Sequence, residues 1–282
     1  MSQLKVGSIL VEMRRWLRCC RQKRRNARLL QTADPHHGFF FDELKNLLMV
    51  DDEWLMETWT QFCNGRWGWE LLSGWRSPSR QTDGFAKSLD VAEGFALWAL
   101  VKWARPSRVV ELGVQYGVSS RVWKEALQTY VPNHTLILCD LEDKRRFISE
   151  QEADFYAEDA RALLPRLFAG QQIDLLHNDA HPYDLIHWSV QEAIWNHVPV
   201  LTFHDVGQVH RGSFRAESYT LSQEEKIKCC VDWGVYGHWE RHVMAELLDE
   251  RILREDFVEN EQWRIQIFDS LFGFGVAIRQ EE

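Results

Sequence analysis

From about residue 88 onward, short apolar segments alternate with segments whose apolar residues recur at helical spacing. The short segments are apolar at successive positions, which indicates strands buried on both faces. Strands of this kind that alternate with helices are typical of a parallel sheet covered by helices on both sides. The segments are, in chain order, SRVVEL, TLILCD, ADFYAE, IDLLHN and VPVLTFHD.

The end of the chain follows a different pattern. WRIQIFDS and GFGVAIRQ are separated by almost nothing, so we expect them to form an antiparallel hairpin that adds to the sheet. The predicted fold class is therefore α/β, with a doubly wound, mostly parallel seven-stranded sheet whose last strand is antiparallel. A helical extension precedes this domain.

Residues 31–85 are irregular, because turn-forming stretches such as DPHHG and NGRWGW interrupt them. This region contains five tryptophans, namely Trp54, Trp59, Trp67, Trp69 and Trp75. They belong either to a helical cap that packs on the main domain or to a lid that lines an apolar pocket. We therefore divide the chain into residues 1–87, a basic helix with a cap or lid, and residues 88–282, the α/β domain, with an insertion at 206–260.

Residues 1–32 hold nine Lys and Arg residues and one acid, so this segment carries +8 and the rest of the chain −17, for a net charge of −9. A basic helix of this kind can contact an anionic membrane, nucleic acid or an acidic partner. An apolar stripe at helical spacing, formed by Ile9, Met13, Trp16, Leu17 and Cys20, favours docking on the chain's own body or on a second copy, as a homo-oligomer. The acidic body argues against nucleic-acid binding.

No apolar run approaches the roughly 20 residues of a membrane span, so we expect no transmembrane segment. The first residues lack the basic start and cleavage site of a secretory signal. The six cysteines include two vicinal pairs but not the spacing of a zinc ribbon. We expect a cytoplasmic protein with reduced thiols.

In a sheet of this class, ligands bind beyond the carboxyl ends of the strands, where the strand order reverses. The first strand leads into VVELGVQYGVSS, in which Glu111 ends the strand and Gly113 and Gly117 allow a tight turn with close backbone approach to a ligand. Ser119 stands where the next helix begins. The glycine spacing is neither the dinucleotide fingerprint nor a P-loop, so the loop suits a ligand without a pyrophosphate.

The second and third strands also end near acids. Asp140 is placed to accept hydrogen bonds from both hydroxyls of a ribose, or it is an ordinary strand-end acid. Asp159 can hydrogen-bond an adenine amino group, cap the following helix, or do both.

These three signals, in this order, resemble the class I S-adenosylmethionine-dependent methyltransferases over roughly residues 88–280. The resemblance implies a Rossmann-like methyltransferase fold and S-adenosyl-L-methionine as the cofactor. It implies that the glycine-containing loop cradles the amino-acid part of the cofactor, that Asp140 holds the ribose and that Asp159 holds the adenine. The implied cofactor-binding residues are Glu111, Gly113, Gln115, Tyr116, Gly117, Ser119, Asp140, Asp159, Ala160 and Asp179.

The fourth and fifth strands end in similar mixtures of His and Asp, HNDAHPYD at 177–184 and LTFHD at 201–205. Because neighbouring strands lie about 4.8 Å apart, Asp179 and Asp205 can converge on one site. Carboxylates there can hold a divalent cation that lowers the pKa of a hydroxyl, and a histidine can take the proton. We interpret His177, which precedes this motif, as a packed strand residue.

The segment from residue 173 to residue 205 resembles the D-x-H-x-Y … H-D segment of a group of O-methyltransferases that act on small molecules and sugars. That group is related to macrocin-type and cephalosporin-hydroxylase-like enzymes. The resemblance implies that His181 and Asp179 are catalytic, with His181 as the general base. The implied metal ligands are Asp179, His204 and Asp205, and the candidate substrate residues are His181, Tyr183, His210 and Arg211.

The sequence departs from this motif in places that bear on the metal. Asn178 stands where an apolar residue is usual, and Ala180 replaces a common glycine. His204 stands where the clearest metal binders carry a second acid. Magnesium prefers oxygen ligands, whereas manganese, iron and zinc accept imidazole, so use of magnesium, of another divalent metal or of none is left open.

The leading hypothesis is an S-adenosylmethionine-dependent O-methyltransferase that transfers a methyl group to a hydroxyl of a small-molecule acceptor, a natural product or a sugar. One alternative is a metal-dependent, hydroxylase-like enzyme on the same fold. The other is a catalytically inactive methyltransferase-like scaffold. Product mass separates the two enzymes, and substitution of Asp179 or His181 separates either enzyme from the scaffold.

Overall fold

The computed structural model describes residues 40–75, 89, 91–206, 222, 224–225, 239–268, 270 and 273–280. The basic segment at residues 1–32 and two of the predicted substrate residues, His210 and Arg211, lie outside these ranges.

The sheet contains every strand that the sequence predicts. Its strands are β1 (Arg108–Leu112), β2 (Thr135–Asp140), β3 (Asp154–Ala157), β4 (Leu175–Asn178), β5 (Val200–His204), β6 (Phe257–Glu259), β7 (Trp263–Phe268) and β8 (Phe274–Arg279). The predicted count of seven is therefore too low by one for the described residues. The extra strand, β6, lies in the predicted insertion and is only 3 residues long, with a single buried residue, so it carries no detectable periodicity.

The strands are arranged in the order β3-β2-β1-β4-β5-β8-β7-β6. Pairing is parallel from β3 across to β5 and antiparallel from β5 through β8 and β7 to β6. The order therefore reverses between β1 and β4, which is the switch point where doubly wound sheets bind ligands. This is the doubly wound architecture of the Rossmann-like methyltransferase fold, as predicted, with the final hairpin inserted beside β5.

Helices cover both faces of the sheet. They are α1 (Phe41–Leu48), α2 (Asp52–Asn64), α3 (Arg66–Trp75), α4 (Val91–Ala104), α5 (Val118–Tyr130), α6 (Ala160–Gly170), α7 (Tyr183–Trp195) and α8 (Glu240–Leu247), with a 3-10 turn at Glu250–Leu253. Residues 141–153, between β2 and β3, contain no helix. None of the helices in the described ranges combines the length and apolar character needed to cross a bilayer.

The N-terminal helices share one hydrophobic core with one face of the sheet. Trp59 of α2 is 1% exposed, and its ring contacts Phe95 of α4 edge-on at a centroid distance of 5.1 Å. Phe62 contacts Trp98 in the same way at 5.8 Å. These aromatic side chains therefore pack the cap against the main domain. The predicted boundary between residues 87 and 88 remains a prediction.

The beginning of the described chain also contacts its end. Arg264 of β7 donates from Nη1 to the carbonyl oxygen of Leu47 at 3.3 Å. Phe40 packs on Phe268, with ring centroids 5.1 Å apart. Helix α1 therefore packs against the antiparallel hairpin.

Candidate functional site

The loop after β1 is pressed against the end of β4. Gly113 has φ +83°, and a Cβ atom at this position would lie 2.2 Å from the carbonyl oxygen of Asp179. Only glycine fits such a position without strain. Gly113 therefore allows the backbone of Asp179 to approach closely, and its predicted contact with a ligand remains a prediction.

The second glycine of the loop starts helix α5. Gly117 has φ +77° and precedes the first residue of the helix, and a Cβ atom there would lie 2.9 Å from Cγ2 of Ile148. The segment after β2 thus lies over the loop. The backbone N–H groups of Arg146 and Phe147 donate to the carbonyl oxygen of Tyr116 at 3.0 and 3.2 Å.

Glu111 supports this loop from inside the core. It is 0% exposed, and it accepts hydrogen bonds from the hydroxyls of Ser119 and of Ser120, the latter at 2.5 Å. Burial raises the pKa of Glu111 to about 8, although the two hydroxyls oppose that shift. Its carboxyl group therefore holds the first turn of α5 in place, and its predicted contact with a cofactor remains a prediction.

The buried polar side chains continue across the sheet. His177 pairs with Glu111 in the β1–β4 register and is 1% exposed, which agrees with its interpretation as a packed strand residue. Its Nδ1 lies 2.9 Å from Oγ1 of Thr202 on β5. Burial lowers the pKa of His177 to about 4, so its ring is neutral at pH 7.

Asp140 at the end of β2 also organises the loop. Its Oδ2 accepts the N–H groups of Val114 and Gln115, each at 2.9 Å, and its Oδ1 accepts the N–H of Leu141 at 2.7 Å. A carboxylate oxygen can accept two hydrogen bonds, so Oδ1 retains capacity for one further donor. The carboxylate therefore ties the loop down while remaining able to bind a hydroxyl.

Asp159 acts as a helix cap in the structure. It is the N-cap of α6, and its side chain accepts the N–H of Arg161 at 2.8 Å. Ala160 is the first residue of that helix and is 5% exposed. The sequence left both a cap and an adenine contact open for Asp159; the cap is present, and the adenine contact remains a prediction.

The polar residues at the ends of β4 and β5 converge. Asp179, His181 and Asp205 each offer a ligand atom, and these atoms all lie within 4.8 Å of one another. His204 adjoins them, with Nδ1 3.1 Å from Oδ1 of Asp179 and 3.4 Å from Oδ1 of Asp205. We call these four residues the strand-end cluster.

The cluster includes one strained residue. Asp205 has φ +60°, in the left-handed region that non-glycine residues rarely adopt. This conformation turns the chain at the end of β5, and its carboxylate lies 3.7 Å from Nδ1 of His181 through Oδ2. Backbone strain of this kind is often found at functional sites.

Two buried acids that were not predicted from the sequence contact the strand-end cluster. Oε2 of Glu93, in α4, lies 3.6 Å from Nε2 of His204, and Oε1 of Glu240, in α8, lies 3.5 Å from Nδ1 of His181. Both acids are 0% exposed. An acid within the apolar run VAEGFALWAL was the available signal for Glu93; Glu240 lies in the insertion and carried no such signal.

The acids hold protons on the two histidines. Burial favours the neutral ring of His181, but the contact with Glu240 and the charge of Asp179 raise its pKa to about 9. Burial opposes the charge on His204 too, but Asp179 and Glu93 hold its pKa well above the ordinary value. Burial raises the pKa of Glu240 to about 7. His181 is therefore protonated at pH 7 in this arrangement and must lose a proton before it can act as a base.

The group of converging ligand atoms differs in one residue from the predicted set of metal ligands. Both ring nitrogens of His204 face carboxylates, Asp179 and Asp205 on one side and Glu93 on the other. His181, rather than His204, completes the group of converging ligand atoms. One imidazole and two carboxylates suit manganese, iron or zinc better than magnesium.

Two further motif residues have partners away from the cluster. Tyr183 is 1% exposed, and its hydroxyl donates to Oε2 of Glu246 in α8 at 2.5 Å. Asn178 is fully buried, and its Oδ1 accepts the hydroxyl of Ser189 in α7 at 2.9 Å. The departure from an apolar residue at Asn178 is thus matched by a polar residue on the helix that covers it.

A large concavity lies at the other end of the parallel strands from the strand-end cluster. It has a volume of about 1600 Å³, and its lining includes Pro106, Ser107, Trp195, Pro199 and Arg279. These residues lie at the amino ends of the parallel strands, away from the strand-end cluster. The converging acids and histidines, rather than this concavity, therefore locate the candidate site.

No protein-family model matches the chain, and no curated protein sequence matches it. An S-adenosylhomocysteine-bound methyltransferase from Podospora anserina, PaMTH1, is 13% identical, covers 89% of this chain and 99% of its own, and has a TM-score of 0.49. An O-methyltransferase from Bacillus cereus in complex with S-adenosylhomocysteine is 13% identical, with coverages of 85% and 96% and a TM-score of 0.49. TomG of Streptomyces achromogenes, an O-methyltransferase of tomaymycin synthesis in complex with S-adenosylmethionine, is 18% identical, with coverages of 86% and 97% and a TM-score of 0.48.

These three structural neighbours are methyltransferases, and two of them are described as O-methyltransferases. At these levels of similarity the fold assignment rests on the strand order of the chain itself. The closer relation to macrocin-type and cephalosporin-hydroxylase-like enzymes remains a prediction from the sequence.

Proposed function

We propose that the protein is an S-adenosylmethionine-dependent O-methyltransferase that acts on a hydroxyl of a small molecule, a natural product or a sugar. One observation carries the proposal. The strand-end cluster contains three convergent ligand atoms from Asp179, His181 and Asp205, and the backbone of Asp179 abuts the Gly113 loop. Groups suited to activating an acceptor therefore lie beside the loop that the sequence assigns to the cofactor.

The residues around the switch point fit S-adenosylmethionine. Asp140 retains acceptor capacity on Oδ1 for a ribose hydroxyl, and Asp159 and Ala160 stand at the start of α6, beyond the end of β3. The cofactor, when bound, supplies an electrophilic methyl group on a positively charged sulfur. The four carboxyl groups of Asp179, Asp205, Glu93 and Glu240 outnumber the two imidazole rings they face, so the local charge favours a cationic ligand.

The cluster would prepare the acceptor hydroxyl. Positive charge near His181 lowers the pKa of its ring, which frees the ring to take the hydroxyl proton. Asp179 and Asp205 would orient the hydroxyl, either directly or through a divalent cation that lowers the hydroxyl pKa. General-base catalysis of this kind contributes about 10²–10⁴-fold to a rate.

Calorimetric titration with S-adenosylmethionine and with S-adenosylhomocysteine tests the first part of this proposal. We expect saturable binding of one ligand per chain by both compounds. If the pure, folded protein binds neither compound, the proposal is wrong. A thermal-unfolding scan with and without ligand gives an independent readout, because binding to the native state raises the unfolding temperature.

Titration with Mn²⁺ tests the metal. We expect Mn²⁺ to bind the wild-type protein, and both Asp205→Asn and His181→Gln to weaken that binding by at least about tenfold, which is about 1.4 kcal/mol. Glu246→Gln is the matched control, since Glu246 contacts His187 and Tyr183 instead of the cluster. Equal affinity in all four proteins would show that the cluster holds no metal.

A further inference from the structure

Glu240 is buried without the hydrogen bonds that normally accompany a buried carboxylate. It is 0% exposed, and in the part of the chain that the structure describes neither Oε1 nor Oε2 has a hydrogen-bond partner. Its nearest ionisable contact is Nδ1 of His181, 3.5 Å from Oε1. A buried carboxylate of this kind destabilises the fold unless another group compensates for its burial.

We propose that Glu240 is the positioning residue of His181, and that it fixes the proton of the neutral imidazole ring on Nδ1. Nδ1 faces two acids, Oε1 of Glu240 at 3.5 Å and Oδ2 of Asp205 at 3.7 Å. A neutral imidazole carries one proton, and two carboxylates on one side place it on that nitrogen. Nε2 is then the unprotonated nitrogen of the ring.

This arrangement has a direct chemical consequence. A histidine that serves as a base or a metal ligand uses one ring nitrogen, and a carboxylate on the other nitrogen sets which one. Glu240 therefore makes Nε2 the reactive atom of His181. The side chain of His181 is 30% exposed, whereas that of Glu240 is fully buried, so the ring is the accessible member of the pair.

Glu246, on the same helix as Glu240, has a different role. Glu246 accepts the hydroxyl of Tyr183 at 2.5 Å and lies 3.8 Å from Nε2 of His187, so it joins α8 to α7. Among the residues that the structure describes, Glu240 forms no such hydrogen bond to a neighbouring helix. The contact that its carboxylate makes is instead with His181 of the strand-end cluster.

The inference about the His181 tautomer does not depend on the proposed function. The use of this tautomer in methyl transfer rests on the proposed function. The experiment is nitrogen NMR of the full-length protein with labelled histidine, recorded through the alkaline range in which the ring becomes neutral. The chain has 11 histidines, and His181→Gln identifies the signal that belongs to His181. Wild type should show the neutral ring mainly as the Nδ1–H tautomer.

Two variants test the cause. In Glu240→Gln and Glu240→Met we expect a mixture of tautomers, with the Nε2–H form raised severalfold, because the charge beside Nδ1 is gone. Both variants should unfold at or below the wild-type temperature, because each removes one partner of the contact with the His181 ring. Glu246→Gln should leave the His181 tautomer unchanged and should lower the unfolding temperature.

The outcomes are distinguishable from failure of the proposed function. A wild-type ring that is mainly Nε2–H overturns the inference even if neither variant folds. Unchanged tautomers in folded Glu240 variants overturn it as well. Calorimetry with S-adenosylhomocysteine on the same samples reports the cofactor site separately, and we expect the control Glu246→Gln to bind it as wild type does.

Discussion

Glu111 and His177 occupy paired positions on β1 and β4, and 4.0 Å separates Oε1 of Glu111 from Nε2 of His177. Both side chains are almost wholly buried. Together with Thr202 on β5 they form a polar row through the apolar centre of the sheet. This row lies directly under the loop and the strand-end cluster, so it links the stability of the fold to the geometry of the site.

The first prediction concerns the pH dependence of stability. The pKa of Glu111 rises from an ordinary value of 4.5 to about 8 on folding, because of burial. Its stabilising contribution is therefore fully present below about pH 4.5 and is lost as the pH rises through 8. We expect the unfolding free energy of wild type to fall with pH in this window, by up to about 1.4 kcal/mol per pH unit.

Glu111→Gln should flatten that slope, because the amide does not titrate. The measurement is urea denaturation at a series of pH values. Glu142→Gln is the matched control, since Glu142 is exposed and forms an ion pair with Lys144, and it should keep the wild-type slope. Equal slopes in wild type and Glu111→Gln would contradict the prediction.

The second prediction concerns the loop glycine. Gly113→Ala should destabilise the protein by about 2–4 kcal/mol, because the new methyl group would meet the backbone of Asp179 at 2.2 Å and φ is +83°. Gly170→Ala is the control. A Cβ atom there would meet nothing within 4 Å, so this change should be neutral or stabilise by up to about 1 kcal/mol. Chemical denaturation measures the unfolding free energy of both variants. A similar loss of unfolding free energy in the two would contradict the prediction.

The third prediction concerns cofactor affinity. Asp140→Asn should weaken S-adenosylhomocysteine binding by at least about tenfold, because it removes the charge that accepts the N–H groups of Val114 and Gln115. Glu142→Gln, two positions further on, should bind as wild type does. Calorimetry measures both affinities. Wild-type affinity in Asp140→Asn would remove Asp140 from the cofactor site.

The fourth prediction concerns stability in acid. Burial opposes ionisation of Glu152, but hydrogen bonds from Arg121 and Ser149 lower its pKa to about 2. Its contribution is present above pH 4.5 and is lost as the pH falls towards 2. Because the side chain is 28% exposed, solvent screening limits the effect to about 1 kcal/mol. Glu152→Gln should therefore be less stable than wild type at pH 6, and the gap should close near pH 2; a constant gap in urea denaturation would argue against this.

The sequence was sufficient for the parts of the site that parallel strands bring together. Asp179 and Asp205 converge because β4 and β5 are adjacent and parallel, and both facts follow from apolar segments that alternate with helices. The glycine loop and Asp140 were found for the same reason. The seven longer strands were predicted because each is an apolar run between turn signals, whereas β6 is too short to show one.

The sequence could not reveal which buried carboxyl group contacts each histidine of the strand-end cluster. Glu93 and Glu240 reach the cluster from α4 and α8, and their positions depend on how these helices dock on the sheet. Docking depends on tertiary packing and leaves no periodic signal. Similarly, the partner of Gly113 is the backbone of Asp179, which a local turn pattern cannot distinguish from a bound ligand.

The contact between α1 and β7 has a consequence for the order in which the protein folds. Leu47 and Arg264, which join these elements, are 217 positions apart in the chain. Helix α1 is synthesised long before the hairpin strand that it contacts, because synthesis proceeds from the N-terminus. The surface of α1 that contacts β7 must therefore stay uncovered until β7 has been made, and contacts between such distant parts of a chain form slowly. Synthesis of the hairpin, rather than formation of the early helices, would set the time at which α1 is covered.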